Sequence, residues 1–153
     1  MSVRLRPATL DDVAFLADVV IVCTLAQGRF PADLDLASYR VGYEDWTRET
    51  VLGAIPNSVL SVIEVDQQPI GRLRVVRDES GITLAGIQIL PAYQNRGIGT
   101  LLITQLQREA DQYQCPLWLS VEKDNPHARR LYQRLGFQLV QEQEQDYHLV
   151  YRT

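Results

Sequence analysis

The sequence predicts an α/β fold, a mixed sheet of about seven strands flanked by about four helices. Three observations carry that expectation. Residues 59–90 form three alternating, β-branched runs separated by polar turns, which reads as an antiparallel meander. Residues 87–121 pass from an apolar strand through a glycine loop into a helical pattern and on to an alternating strand. That order implies a parallel pair joined by a right-handed crossover. Residues 117–151 then give strand, helix and two more strands.

Size and charge set bounds on function. The chain has 153 residues and 46% hydrophobic content, the range of a single domain (residues 1–153) with a true core. A net charge of -4 argues against a nucleic-acid binder and is compatible with an amine substrate. Cys23 and Cys115 lie in no CxxC or Cys/His cluster, so neither a metal site nor a disulfide framework is expected. Both read as small buried hydrophobes of a reduced cytoplasmic protein. The N-terminus lacks a signal-peptide core, and the longest apolar run, residues 19–23, is too short to span a bilayer.

In chain order, Val3 and Leu5 alternate with Arg4 and Arg6 as a short strand ending at Pro7. Thr9 caps a helix with Asp11 and Asp12 in its first turn. Val13, Leu16, Ala17, Val20 and Thr24 form its inward stripe, and Gly28 and Pro31 end it. A second helical region covers about residues 33–52. Gly42 and Gly53 weaken it, and a break in it is expected. Tyr39, Tyr43 and Trp46 share one face of it; they fit the wall of an acceptor pocket, though ordinary core packing is the plainer account. In the meander the strands are residues 59–65, 70–77 and 82–90, with residues 66–69 and 78–81 as turns. Arg72 and Arg74 share a face opposite Leu73 and Val75, and a solvated sheet face is the expected reading.

After the meander, Pro91 stops regular pairing, and a polar loop carrying Gly97 and Gly99 opens a helix that runs to about Gln114. Its apolar stripe is Leu102, Leu106, Ala110 and Tyr113. Leu117, Leu119 and Val121 mark the fifth strand. Asn125 is the N-cap of a last helix, Pro126 its first residue and Gly136 its stop. Ala128, Leu131, Tyr132 and Leu135 line one face. Phe137 opens a strand to about Val140, and Tyr147 opens the final one.

The glycine loop is the first candidate site. A helix N-terminus offers free amides and the positive end of a dipole, and glycines let an anion approach closely. No Lys-Ser or Lys-Thr follows, so it is not a Walker A loop; a third glycine is missing, so it is not a dinucleotide fingerprint. Taken alone, the loop fits a phosphate site or an ordinary strand-to-helix turn.

Gln94-Asn95-Arg96-Gly97-Ile98-Gly99 resembles the pyrophosphate loop of the GCN5-related N-acetyltransferase (GNAT) family: Gln or Arg, two residues, Gly, one residue, Gly or Ala. A second block, Asn125, Ala128, Leu131-Tyr132 and Gly136-Phe137, resembles the same family in order and spacing, and the element order also agrees. The resemblance covers essentially the whole chain. It implies the acyl-CoA N-acyltransferase fold, with the sheet splayed between strands 4 and 5 and acetyl-coenzyme A in that cleft.

By this resemblance the backbone of Gln94, Asn95, Arg96, Gly97, Ile98, Gly99 and Thr100 receives the pyrophosphate, and Ile89 and Leu90 pair with the pantetheine arm. Asn125 bonds the pantetheine region, caps its helix, or does both. The implied reaction is direct attack of a primary amine on the thioester. A backbone N–H near Ile89 or Leu90 serves the oxyanion, and Tyr132 matches the acid that serves the leaving thiolate. Family members often carry a carboxylate base on the fourth strand. Here residues 82–90 contain no Asp or Glu, and Gln88 is the long polar side chain, suited to orienting substrate or water. Glu64 and Glu122 lie on neighbouring strands, and no base is assigned. Tyr39, Trp46 and Gln88 are the candidate acceptor-binding residues. The acceptor is a small amine or a peptide or protein amine, with no metal, nucleic acid or membrane expected. Family members often form homodimers, which leaves a homodimer open. The competing reading is an acetyl-coenzyme A-binding sensor without turnover.

Overall fold

The computed structural model describes residues 1–153. Its elements are β1 (Val3–Pro7), α1 (Val13–Ala26), α2 (Leu36–Val51), β2 (Ser58–Val65), β3 (Gln68–Asp78) and β4 (Gly81–Ile89). They continue with α3 (Ile98–Tyr113), β5 (Leu117–Glu122), α4 (Pro126–Arg134), β6 (Gln138–Glu142) and β7 (Asp146–Tyr151). The seven strands lie in the order β1-β2-β3-β4-β5-β7-β6. The expected parallel pair is present: β4 and β5 pair over Ile82 to Leu84 and Leu117 to Leu119. That register covers three positions, and β4 continues to Ile89 and β5 to Glu122 beyond it. The chain divides into two compact units, Met1–Arg74 with Gly86–Gly99, and Val75–Ala85 with Thr100–Thr153.

In the first unit, α1 buries more than one stripe. Val19, Ile21 and Cys23 join Val13, Leu16, Ala17 and Val20 inside, because the helix is apolar around most of its circumference. Thr24 is half-buried and back-bonds to the Val20 carbonyl at 2.7 Å. A short 3₁₀ turn, Leu10–Asp12, precedes α1, and the Asp12 carboxylate accepts the Thr9 amide at 2.8 Å. Arg6 grips the same carboxylate through both terminal nitrogens, at 2.8 and 2.9 Å, and reaches Glu64 with Nε at 3.0 Å. These bonds, the Arg6 pair first, hold the Asp12 carboxyl down at about 2. A depressed carboxyl stabilises the fold above its unfolded value of 3.8 and loses that contribution as pH falls through about 2. The Asp12→Asn variant is therefore expected to be less stable at neutral pH. Its acid-unfolding curve should be flatter between about pH 4 and 2, measured by urea midpoints across that range.

Three expectations need correction here. Helix α2 runs unbroken through Gly42, and Gly53 falls beyond its end with φ 90°. The propensity penalty of one glycine, about 1 kcal/mol, is outweighed by packing along the rest of the helix. The β2–β3 connection is shorter than four residues. Asp66 and Gln67 are both left-handed, with φ 49° and 71°, and Gln68 already belongs to β3. Most consequentially, the Arg72/Arg74 face of β3 is not solvated: Arg72 is 3% exposed. Aromatic side chains of α2 cover that face, so β3 is buried on both sides over its middle.

In the second unit, α3 turns Leu102, Ile103, Leu106, Gln107 and Ala110 inward. Tyr113, expected in that stripe, is 68% exposed; it is the last residue of α3, and inward packing ends at Ala110. Gln107 Nε2 donates to the Leu135 carbonyl at 2.7 Å and so holds the C-terminal end of α4. Gly81, with φ 124°, lies against Pro116, and the Ile82 amide donates to the Pro116 carbonyl at 3.0 Å. Cys115 is half-buried rather than buried. No helix is long and apolar enough to cross a membrane.

Candidate active site

In the first unit, β4 leads through Leu90 and a 3₁₀ turn, Pro91–Tyr93, into the glycine loop. Gln94 Nε2 reaches back across that turn to the Ile89 carbonyl at 2.8 Å, and Cys23 Sγ donates to the same oxygen at 3.1 Å. Burial pushes the Cys23 thiol up to about 11, so it stays a neutral donor. The Leu90 amide donates to the Ile70 carbonyl at 2.9 Å. Antiparallel strands alternate their amides from one edge to the other, so the Ile89 amide points away from β3. Of the two residues singled out for an oxyanion donor, Leu90 is committed to the sheet and Ile89 is not.

The loop itself places Asn95 and Gly97 in the left-handed region, φ 62° and 79°. Asn tolerates that conformation; Gly97 adopts it freely. Ile98 then opens α3 with its side chain buried, while Gln94, Asn95, Arg96, Gly97 and Thr100 are exposed. A Cβ built at Gly97 meets nothing within 4 Å, so the space over the loop is open. At Gly99 it would touch the Ile89 Cδ1 at 3.6 Å, an ordinary contact, so packing against β4 leaves room for an alanine there. Arg96 lies over the Tyr93 ring at 5.0 Å. The amides of Ile98, Gly99 and Thr100 fall in the first turn of α3, where no intrahelical acceptor exists. Open space, a left-handed glycine and a helix N-terminus fit a pyrophosphate.

In the second unit, Asn125 caps α4 by accepting the Ala128 amide on Oδ1 at 3.3 Å. Its Nδ2 group takes no part in that cap, so capping leaves a donor over. The other end of α4 explains the Leu-Tyr and Gly-Phe spacing. The Gly136 amide donates to the Gln133 carbonyl at 3.1 Å and the Phe137 amide to the Tyr132 carbonyl at 3.0 Å. Gly136 has φ 93°. This is a Schellman cap, and its usual apolar contact is the Tyr132–Phe137 ring pair, 5.7 Å between centroids. The motif thus fixes the Tyr132 ring by local structure. Gly136→Ala is expected to destabilise the protein by about 1–2 kcal/mol, seen as a lowered Tm, because alanine resists a positive φ.

Tyr132 is 8% exposed. Burial pushes its phenol up to about 12. A free phenol near ~10 against a free thiol near ~8.5 implies a modest uphill transfer. The buried phenol raises that gap to about 3.5 units, or about 5 kcal/mol.

The residues expected to face an acceptor do converge in the first unit. Tyr39, Tyr43 and Trp46 stack in series along α2, 6.0 and 5.6 Å between centroids, and all three are half-buried rather than core. Below them Arg72 Nη1 donates to Gln88 Oε1 at 2.9 Å. The Arg72 guanidinium lies 5.8 Å from the Tyr43 ring and 5.7 Å from that of Trp46. Burial pushes the Tyr43 phenol up and the guanidinium groups of Arg72 and Arg74 down. Arg72 was missed as a site residue in the sequence. The available signal was Gly86 inside an otherwise regular strand: a Cβ there would stand 2.5 Å from Arg72 Nη1. Glu64 is engaged by Arg4 and Arg6. No group of three or more His, Cys, Asp or Glu side chains converges on a metal-binding geometry.

This architecture, a mixed sheet with a short parallel β4–β5 pairing and a glycine loop opening α3, is the acyl-coenzyme A N-acyltransferase fold. The chain belongs to the acetyltransferase (GNAT) family, which it matches over residues 21–137. A 48-residue stretch, 30% of the chain, is 46% identical to the spermine/spermidine N(1)-acetyltransferase of Bacillus subtilis (strain 168). The match spans 32% of that protein's length. The PaiA N-acetyltransferase of Thermoplasma acidophilum, solved in complex with coenzyme A, covers 100% of both chains with a TM-score of 0.82 at 16% identity. An acetyltransferase from Thermus thermophilus covers 100% of this chain and 98% of its own, with a TM-score of 0.79 at 19% identity. At such identities these structures establish the fold.

Proposed function

We propose that the protein is an acetyl-coenzyme A-dependent N-acetyltransferase that acetylates a primary amine by direct attack, residues 1–153 acting as one catalytic domain. The observation that carries this reading is the loop after β4: an open left-handed glycine, a helix N-terminus, and an Ile89 amide turned off the sheet beside it. In this scheme residues 94–100 hold the pyrophosphate, and Ile89 and Leu90 border the pantetheine arm. The Asn125 amide group bonds that arm while capping α4. A neutral amine attacks the thioester carbon, the new C–N bond forms, and the Ile89 amide stabilises the oxyanion. The C–S bond then breaks, and the thiolate leaves with the Tyr132 hydroxyl donating to it. At about 12, Tyr132 supplies a strong hydrogen bond as charge develops on sulfur, and solvent completes the protonation. The acceptor's ammonium gives one proton to water before attack, and the nitrogen of the tetrahedral adduct gives a second to water as the C–S bond breaks, since β4 carries Gln88 and no carboxylate.

The test is free-thiol release from acetyl-coenzyme A in the presence of a broad panel of small and peptide amines, with acetylated product identified by mass. Amine-dependent release supports the transferase. Thermal stabilisation by acetyl-coenzyme A without release from any amine favours a binding sensor instead. Neither stabilisation nor release refutes the loop assignment.

A further inference from the structure

The face formed by α2, β3 and β4 in the first unit holds two guanidinium groups with only neutral partners. Arg72 is buried; Nη1 donates to Gln88 Oε1, and Nε is buried without an acceptor. Arg74, two residues on and on the same face of β3, donates Nη1 to Ser58 Oγ at 3.2 Å, and its Nε is also buried without an acceptor. The Trp46 ring lies within 5.7 Å of one guanidinium and 5.2 Å of the other. Arg6 of the same unit shows the contrast, with two carboxylates around it.

Taking an arginine out of water without an anion is unfavourable, and aromatic faces return part of that loss. Two such arginines side by side repel each other as well. The chain carries a net charge of -4, so local positive charge is not a by-product of a basic protein. Buried, unmatched guanidinium donors beside a reaction centre are what recognition of a planar anion requires. The position is also right. Gln88, which holds Arg72, immediately precedes Ile89, and successive strand residues are about 3.3 Å apart. On the acetyltransferase reading, the acceptor must reach from the Arg72 side of Gln88 to the Ile89 amide.

Building on the acetyltransferase reading above, we propose that the acceptor is an amine that also bears a carboxylate. Arg72 and Arg74 take the carboxylate against Trp46, and the amine is presented at Ile89. Surplus positive charge also lowers the pKa of an ammonium next to it, as a neighbouring cation does for lysine. That supplies a neutral nucleophile where β4 offers no base. The arrangement runs against a polyamine acceptor, which carries positive charge alone.

The experiment compares common L-amino acids, their α-amides and spermidine as acceptors, by kcat/KM for thiol release. In parallel, Trp46 fluorescence is titrated with the same compounds in a Trp118→Phe background, which leaves one of the chain's 2 tryptophans. Binding is thereby read without turnover. The expected result is that at least one free acid exceeds its amide by about tenfold or more in both readouts. Arg72→Met and Arg74→Met should each remove that preference chiefly through KM. Equal response to acids and amides, or a preference for spermidine, overturns the proposal. Acid-selective fluorescence change without transfer to any amine upholds the anion site and overturns the transferase reading. The acid–amide comparison in the unmutated protein stands even where a variant fails to fold.

Discussion

Gly97→Asp is expected to raise the dissociation constant for acetyl-coenzyme A by about a hundredfold or more, equivalent to about 2.7 kcal/mol. A side chain at φ 79° is strained by about 1 kcal/mol, moderated because Asp tolerates the left-handed region better than most residues; that strain is present with and without coenzyme and leaves the affinity unchanged. More important, a carboxylate enters the open space above the loop, where a Cβ meets no protein atom, and opposes the pyrophosphate. The apo protein should lose only a few degrees of Tm, from the strain at that φ, because a Cβ there meets no other protein atom. Calorimetric titration with acetyl-coenzyme A checks the affinity. An unchanged dissociation constant would remove this loop from the coenzyme site.

Tyr132→Phe is the second large effect. It should reduce kcat by about a hundred- to a thousandfold and leave acetyl-coenzyme A affinity within about twofold. The ring contact with Phe137 survives in phenylalanine, so the fold should too. With its phenol at about 12, Tyr132 stays protonated through the measurable alkaline range. The unmodified enzyme should therefore show no fall in kcat between about pH 8 and 10 from this group. The raised phenol also stabilises the fold below about pH 10, and that contribution fades as pH climbs through about 12. A kcat unchanged by Tyr132→Phe would reduce the residue to its part in the Schellman cap.

The parts of the fold that were legible in the sequence are those written locally. Asn125, Pro126 and Gly136 set the two ends of α4, and their roles depend only on neighbouring backbone groups. The order of strands and helices followed from apolar periodicity for the same reason. Arg72 was misread because strand alternation assumes that the polar face meets water, and nothing local reports that the aromatic side of α2 lies over it. Tyr113 failed differently. Helical periodicity continues to the last residue, whereas inward packing ends at Ala110. The glycine loop was found from its motif, but the commitment of the Leu90 amide to Ile70 is a pairing across 20 residues of chain, beyond what spacing reveals.

With Arg72 reading the acceptor as proposed, the empty position at Gly86 would make acceptor choice separable from catalysis. The Arg72 terminal nitrogen occupies the volume that any other residue's Cβ would fill. An alanine there would press the guanidinium out of its slot and loosen the Gln88 contact. Ile89, the glycine loop and Tyr132 would keep their residues. On that proposal the charge preferred in a substrate would hang on one absent methyl group, outside the proposed bond-making residues. A scaffold built this way can change clientele by a single step and keep its chemistry.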